Sequence, residues 1–334
     1  MRLAAAALAG ILGYPAPADY QEQVRAERVI VDAHVLDFAG RPVRGLSRTD
    51  FAVRVDGRNV ELESAEWIDV ASPNVPPVEV AAGAVPWAAV DSGRLLVLFF
   101  QADFEMSRIV GQMRMIRQAE RFLATCGESD RLAVLSYDSR LKLRQDFTGD
   151  RSKLRRAIRR TLYADDPPDP APGPEPSIAR RFDFAAARRA SLPEHALRVL
   201  GDALAGLPGA KSLLFFGWGL GNFDPGFGLL LDHNFEPARR ALVRARTAVF
   251  SLDVTSADFH SLQGGLEAMS EGTGGFYVKT HVFPQLAMES VERAVEGEYE
   301  LVFVRPNLPR GLHRVEVRVP RRRAAVLARP TYDD

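Results

Sequence analysis

The feature that most restricts the fold is a regular alternation of apolar strands and amphipathic helices between residues 94 and 304. It begins with Arg94-Leu-Leu-Val-Leu-Phe-Phe, which is apolar after its first residue, as expected of a strand that is buried on both faces. Residues 106–126 follow with apolar side chains at helical spacing. Further strands are predicted at residues 132–137, 141–147, 212–216, 248–253 and 275–278, and further helices at 153–162, 194–204, 237–246, 262–271 and 284–295. This order predicts an α/β fold with a doubly wound, mostly parallel sheet that is covered by helices on both faces.

Both ends of the chain instead show the two-residue alternation of half-buried strands. The N-terminal β segment covers residues 26–70 and contains the hairpin signal Asp56-Gly57. The C-terminal segment, residues 298–332, contains three more strands, of which 313–319 alternates most regularly. Either segment alone has too few strands for a stable β domain. We therefore predict that they combine into one small β-sandwich beside the α/β domain of residues 93–297.

Three further stretches complete the predicted organisation. Residues 71–92 are rich in Pro, Ala and Val and are typical of an extended linker. The proline-rich stretch 164–181 is predicted to be disordered, because prolines at such density exclude helices and central strands. Residues 217–236 form a predicted loop rich in glycine and aromatic residues. We place the end of the helix before residue 275 at Gly272, because glycine is common where helices stop.

The first residues have the pattern of an export signal. Arg2 precedes an apolar run, and Ala16-Pro17-Ala18 is a small-x-small site with cleavage expected before Asp19. Residues 1–18 are thus predicted to be a signal peptide and the mature chain to be an exported, soluble protein. An alanine-rich N-terminal helix and a wrongly assigned start remain alternatives. The run is shorter than the roughly 20 residues that a membrane span requires, so no span is predicted.

The composition argues against several classes of protein. Lys plus Arg and Asp plus Glu both total 43, which gives a formal net charge of zero and no general attraction to nucleic acid or anionic membranes. The only cysteine, Cys126, cannot form an internal disulfide. The six histidines are scattered without metal-ligand spacing. Gly217-x-Gly-x-Gly fails as a dinucleotide-binding motif because Asn222 takes the sixth position. No phosphate-binding loop or nucleophile motif is found either, so we predict neither an enzyme nor a cofactor.

A longer pattern of elements and sequence resembles that of a known protein family. The apolar strand, a polar pentad, a long helix and then DRLAVLSYDSRLKLRQDFTGDRSKLRRAI resemble a von Willebrand factor A domain. The flanking stretches VLDFAGRPVRGLSRTDFAVRVDGRNVELESAEW and GEYELVFVRPNLPRGLHRVEVRVPRRRAAVLARPTY are similar to the von Willebrand A-related family abundant in Acidobacteria. The resemblance covers about residues 28–332. It implies a von Willebrand A-like fold, but little about biochemical function.

The resemblance also implies where a metal ion would lie. Von Willebrand A domains often hold Mg²⁺ at a metal-ion-dependent adhesion site built from an Asp-x-Ser-x-Ser pentad, a threonine on a second loop and an aspartate after the fourth strand. Here these positions carry Gln101, Asp103, Glu105 and Trp218, and no threonine lies between residues 164 and 210. The resemblance therefore implies a degenerate site without its usual ion. Asp103 and Glu105 leave three alternatives: a rearranged Ca²⁺ or Mg²⁺ site, an acid pair for hydrolysis, or residues that cap the following helix.

These observations lead us to expect a non-enzymatic, exported protein–protein interaction module of von Willebrand A type. The sequence does not identify the partner. The alternative is a metal-dependent adhesion domain that uses Asp103 and Glu105. Aromatic residues on glycine-rich loops suit protein contacts, although the same rings could fold back over the end of the sheet. The predicted partner-binding residues are Gln101, Asp103, Phe104, Glu105, Trp218, Phe223 and Phe227.

Overall fold

The computed structural model describes residues 27–69, 93–103 and 105–334. The predicted signal peptide (1–18) and linker (71–92) lie outside these residues, and so does Phe104, one of the predicted partner-binding residues.

The described residues form strands and helices in the following order. The strands are β1 (Arg28–Leu36), β2 (Ala52–Val55), β3 (Arg58–Val60), β4 (Leu62–Asp69), β5 (Leu95–Gln101), β6 (Arg131–Tyr137), β7 (Leu141–Thr148), β8 (Lys211–Gly217), β9 (Asn222–Asp224), β10 (Gly228–Leu230), β11 (Thr247–Asp253), β12 (Tyr277–Lys279), β13 (Gly297–Val304), β14 (Leu312–Arg318), β15 (Ala325–Ala328) and β16 (Thr331–Asp333). The α-helices are α1 (Met106–Thr125), α2 (Arg151–Arg159), α3 (Phe184–Arg189), α4 (Pro193–Ala205), α5 (Phe235–Arg244), α6 (Gln263–Thr273) and α7 (Pro284–Ala294).

The central sheet has six strands in the order β12-β11-β8-β5-β6-β7. All neighbouring pairs are parallel except β6 and β7, which are antiparallel. Counted from β5, this is the order 3-2-1-4-5-6 of a doubly wound α/β sheet. The prediction of an α/β fold around a mostly parallel sheet is confirmed.

The apolar side chains of β5 pack into two separate cores, because successive residues of a strand point to opposite faces of the sheet. Val97 and Phe99 pack on the side of α3 to α6, whereas Leu98 and Phe100 pack on the side of α1, α2 and α7. All four side chains are fully buried. A continuous apolar strand at the centre of the sheet is therefore required by the layers on both sides.

Strands from the two ends of the chain pair with each other. One antiparallel sheet has the order β15-β1-β13-β4 and the other β16-β14-β2-β3. Val31 of β1, for example, lies opposite Leu301 of β13. Apolar residues from both sheets, such as Val53 and Phe303, belong to one buried cluster. The more specific prediction, a β-sandwich, remains a prediction.

Two local predictions are wrong. Helix α6 does not stop at Gly272 but ends at Thr273, followed by Gly274 at φ 90°. The left-handed backbone at Gly274 ends the helix. A Cβ at Gly272 would lie 2.6 Å from Cδ of Arg239, so that side chain would have to shift. The predicted loop 217–236 contains the hairpin of β9 and β10. Its turn is closed by Oδ1 of Asp224, which accepts hydrogen bonds from the backbone N–H groups of Gly226 and Phe227.

The proline-rich loop takes a defined path instead of the predicted disorder. Residues 164–181 contain no helix or strand, but the acidic residues of the loop pair with neighbouring arginines. Asp165 forms ion pairs with Arg144 and Arg160, and Asp169 lies 2.9 Å from Arg188. These contacts connect the loop to β7 at the edge of the sheet, to the end of α2 and to α3.

Candidate functional site

Three neighbouring parallel strands end at the same edge of the central sheet. We call this end, defined by the last residues of β5, β8 and β11, the carboxyl edge; these residues are Gln101, Gly217 and Asp253. Ligands of open α/β sheets bind outside the carboxyl ends of the strands. The carboxyl edge is therefore the first place to look for function.

Gln101 joins the ends of β5 and β8. Its fully buried side chain donates from Nε2 to the carbonyl of Gly219 at 2.9 Å. Its Oε1 accepts hydrogen bonds from the backbone N–H groups of Trp218 at 3.0 Å and Gly219 at 3.4 Å. Both ends of the amide are used in this way because burying an unpaired polar group is costly. Gln101, predicted to contact a partner, is instead a buried link that positions Trp218.

Asp103 and Glu105 converge on one arginine of α1. Oδ1 of Asp103 accepts the backbone N–H of Glu105 at 2.9 Å, which ties the chain at the start of the helix. Oδ2 of Asp103 forms an ion pair with Arg108, and Oε2 of Glu105 lies 3.4 Å from Nη1 of the same arginine. The two carboxylates therefore surround a positive charge that the chain itself supplies.

The indole ring of Trp218 is the third group that contacts Arg108, after the two carboxylates. The guanidinium carbon lies 3.9 Å from the ring centroid, a distance at which a cation is attracted by the face of the ring. Trp218 is partly buried and packs against the same apolar core as Phe100 and Phe216. Within that core, the rings of Phe100 and Phe216 stack with centroids 4.4 Å apart.

The residues at this position do not fit a divalent metal ion. The side-chain oxygen of Gln101 already accepts two backbone N–H groups, and Trp218 offers no ligand atom. Both oxygens of Asp103 have partners within the chain. In the described parts of the chain, no group of three or more His, Cys, Asp or Glu side chains could hold a metal ion. Arg108 occupies the space between the carboxylates that an ion would need.

The three predicted aromatic residues separate into two kinds. Phe223 and Phe227 lie on the hairpin of β9 and β10 and are 57% and 83% exposed. Trp218 instead folds over the end of the sheet. The aromatic rings of the hairpin are therefore exposed, whereas the ring of Trp218 is folded back.

Asp253, at the end of β11, is a carboxyl-edge residue that the sequence analysis missed. Its Oδ2 accepts hydrogen bonds from Nε2 of His260 at 2.9 Å and from the hydroxyl of Tyr277 at 2.6 Å. Burial raises the pKa of the Asp253 carboxyl, but these hydrogen bonds outweigh burial and hold the pKa below its ordinary value. The ionised carboxylate anchors the loop between β11 and α6. Its place directly after the apolar run Ala248-Val-Phe-Ser-Leu was the available signal.

Glu194, in the first turn of α4, supports the same edge from the other side. It is 1% exposed, and its Oε1 accepts the backbone N–H of Gly221 at 2.5 Å. Burial raises the pKa of this carboxyl above its usual value. Glu194 and Gln101 therefore both hold the loop after β8 (the β8 loop). Glu194 binds it at Gly221, and Gln101 binds it at Trp218 and Gly219.

No helix in the parts of the chain that the structure describes combines the length and the apolar composition needed to cross a membrane.

No model of a known protein family matches the chain, and no curated protein matches its sequence. Solved structures are similar to it at low sequence identity. One is a von Willebrand factor type A protein from Catenulispora acidiphila, with a TM-score of 0.43, 8% identity, and 88% of this chain and 70% of that chain covered. Another is the conserved hypothetical protein BatB from Bacteroides thetaiotaomicron, with a TM-score of 0.42, 10% identity, and 61% and 97% covered.

A third similar structure is the PilB minor pilin from Streptococcus sanguinis, with a TM-score of 0.39 and 12% identity. The alignment covers 61% of this chain and 61% of the pilin, which is less than two thirds of the pilin's length. All three TM-scores are below 0.5, so the functional proposal depends on the residues of the chain itself.

Proposed function

We propose that this chain is a non-enzymatic, exported protein–protein interaction module of von Willebrand A type that works without a metal ion. Its partner binds at the carboxyl edge, where the β9–β10 hairpin and the start of α1 meet solvent. One observation carries the proposal: Arg108 lies between Asp103, Glu105 and the ring of Trp218, at the position where the resemblance leads one to expect the ion.

The chemistry of this arrangement supports binding rather than catalysis. Arg108 supplies a permanent positive charge, so the two carboxylates need no external cation. Asp103 and Glu105 both lie within ion-pair distance of Arg108, so the two carboxylates that an acid pair for hydrolysis would use are already paired with a group of the chain itself.

The exposed rings of the hairpin support a protein as the partner. Phe223 and Phe227 stand on a short hairpin whose backbone is fixed by paired strands and an Asp224-closed turn. Aromatic side chains on a fixed backbone lose little entropy on binding and are enriched in the energetic centres of interfaces. Export is proposed from the signal pattern in residues 1–18.

Affinity purification from the native envelope fraction tests this function. The wild-type chain is compared with Phe227→Ser and with Phe38→Ser, which removes a 96% exposed phenylalanine from the turn after β1. We expect a protein that is retained by the wild type and by Phe38→Ser and is lost with Phe227→Ser, with or without a chelator. Equal recovery of every protein by all three chains contradicts the proposal.

The metal-dependent adhesion domain remains the second candidate, because Asp103 and Glu105 already converge on one cation. A divalent ion would have to displace Arg108 from this position. Calorimetric titration of the wild type with Ca²⁺ and Mg²⁺ decides between the two. We expect no binding in the roughly millimolar-or-tighter range of extracellular calcium sites. Binding in that range that is lost in Asp103→Ala supports the adhesion domain instead.

A further inference from the structure

Exposed apolar side chains gather beside the carboxyl edge, on α1, on the loop between β11 and α6, and around the start of α7. We call this surface the α1–α7 patch. Its members are Val110, Met113, Phe259, Val282, Phe283 and Leu286. Phe259 is 78% exposed and Phe283 63%. Leaving them in water is unfavourable, because burial of a phenylalanine side chain contributes about 1.5–3 kcal/mol.

The patch is one surface because Arg114 of α1 ties its parts together. Nη1 of Arg114 donates to the carbonyl of His281 at 2.8 Å, and Nη2 donates to Oγ of Ser256 at 3.3 Å. Gly111 brings α1 against the same loop, since a Cβ there would lie only 1.7 Å from the carbonyl oxygen of Val254. The helix and both loops are therefore packed side by side.

The patch is large for a surface that stays in water. The six large side chains are between 47% and 78% exposed. They amount to on the order of 600 Å² of apolar area, at the upper limit of about 300–600 Å² for the largest patch on a typical monomer. A stable interface needs about 800 Å² per partner, and a surrounding polar rim supplies the rest. The area thus suits a protein interface of standard size.

Charges of both signs border the patch. Asp258, next to Phe259, has a side chain that is 97% exposed, although its Oδ1 lies 3.1 Å from Nε2 of His281. Arg117 follows Met113 by one turn and is exposed on the same face of α1. In an isologous interface every contact occurs twice, so a surface that carries both an acid and a base can pair with its own copy.

We propose that a second copy of this chain covers the α1–α7 patch in a two-fold dimer, an inference that rests on the proposed binding function. The chain has no net charge, so two copies do not repel each other. An anionic membrane would instead select a surface with several basic residues and no acid. The mixed rim favours the second copy.

Sedimentation equilibrium of the full-length chain, over loading concentrations from about 1 to about 200 µM, measures the dimer dissociation constant. We expect Phe283→Ser and Leu286→Ser each to raise it at least tenfold, while Phe38→Ser leaves it unchanged. Asp258→Arg and Arg117→Asp are each expected to raise it, and the double variant is expected to restore it to within about threefold of the wild type. Thermal melting at a concentration low enough for the wild type to be monomeric shows that each variant is folded, because dimerisation itself would raise the melting temperature.

Three results overturn the dimer. The wild type stays monomeric throughout, or it dimerises equally well in all patch variants, or it sediments with vesicles of anionic lipid through Phe283 while monomeric in solution. Failure of the dimer is distinguishable from failure of the binding function. If the envelope protein is still retained through Phe227, the interaction module stands and only the second copy is excluded.

Discussion

The two ends of the central sheet both carry arginine–carboxylate clusters, but they are used differently. At the amino edge, where β8 and β11 begin, Arg246 pairs with Asp32 of β1 at 2.5 Å and with Glu300 of β13 at 2.6 Å. At the carboxyl edge, Arg108 pairs with Asp103 and Glu105. The first cluster joins segments more than 200 residues apart in sequence, whereas the second lies within a single turn and the start of one helix.

What covers each cluster explains the difference. The chain's own β1 and β13 lie over the amino edge, and His34 there is 2% exposed. The carboxyl edge is left with exposed Phe223, Phe227 and the α1–α7 patch. The ion pairs of Arg246 at the covered end connect distant segments of the chain. The ion pairs of Arg108 at the open end instead position residues of an exposed surface. A partner is therefore expected at the open end, where apolar side chains remain exposed.

The largest expected effect comes from removing the central charge of the covered end. Arg246→Met leaves Asp32 and Glu300 without their partner in a partly buried position. We expect a loss of about 3 kcal/mol of unfolding free energy, measured by urea denaturation. Arg240→Met, which removes only an exposed pair with Glu236, serves as the control and should change stability by less than about 0.5 kcal/mol. Similar losses in both variants would remove the distinction between the clusters.

Lys211, also at the amino edge, makes stability depend on pH. Burial is the main cause and the charge of Arg246 the second cause that lower the pKa of Lys211 to about 7. The folded state therefore binds fewer protons than the unfolded state above that pH, so stability rises with pH until about 10.5. Burial and nearby Asp32 raise the pKa of Glu298 to about 8, which acts in the opposite direction below that pH.

The measurement is therefore made between about pH 8 and about pH 10. We expect the wild type to gain roughly 2 kcal/mol over this interval relative to Lys211→Met, as followed by melting temperature or urea denaturation. Parallel pH profiles of the two chains would show that Lys211 is not the group responsible.

The buried link at the carboxyl edge should have an intermediate effect. Gln101→Leu keeps the volume but leaves the N–H of Trp218 and the carbonyl of Gly219 without a partner. We expect a loss of about 1–2 kcal/mol. Gln285→Leu, at an exposed position of α7, is the control and should be nearly neutral. A neutral Gln101→Leu would mean that the β8 loop is held by Glu194 alone.

The smallest effect on stability is expected at Arg108. Its pairs are partly exposed and its contact with Trp218 contributes about 0.5–1 kcal/mol, so Arg108→Ala should cost less than about 1 kcal/mol. Partner retention should fall nonetheless, because Asp103, Glu105 and Trp218 lose their common contact. Thermal melting and affinity purification of the same sample check both statements. A loss of stability as large as that of Arg246→Met would show that the two arginine clusters have the same structural role.

The sequence predicted the central fold well because its signals are local. The apolar run of β5 and the helical spacing of α1 can be recognised from residues that are close together in the sequence. The boundary between β3 and β4 could not be predicted from the sequence, although β3 pairs with β2 and β4 pairs with β13. Alternation continues through Leu62 and cannot reveal that the chain changes sheets there.

The candidate site was predictable only as far as sequence positions could be matched. Gln101, Asp103, Glu105 and Trp218 came from the resemblance, and all of them except Gln101 surround the same arginine. Arg108 itself was missed, because an arginine near the start of a helix has the pattern of a solvated residue. Its contact with Trp218 crosses 110 positions of sequence and depends on β5 and β8 being neighbours in the sheet.

Photo-crosslinking at Phe227 and at Phe38 decides whether the carboxyl edge is a metal-free binding surface. A photoreactive phenylalanine analogue replaces Phe227 in one chain and Phe38 in the other, and both are irradiated in the native envelope with and without a chelator. We expect a specific adduct from position 227 that survives chelation, and none from position 38. Equal adducts from both positions, or an adduct that disappears with the chelator, would contradict a metal-free binding surface at the carboxyl edge.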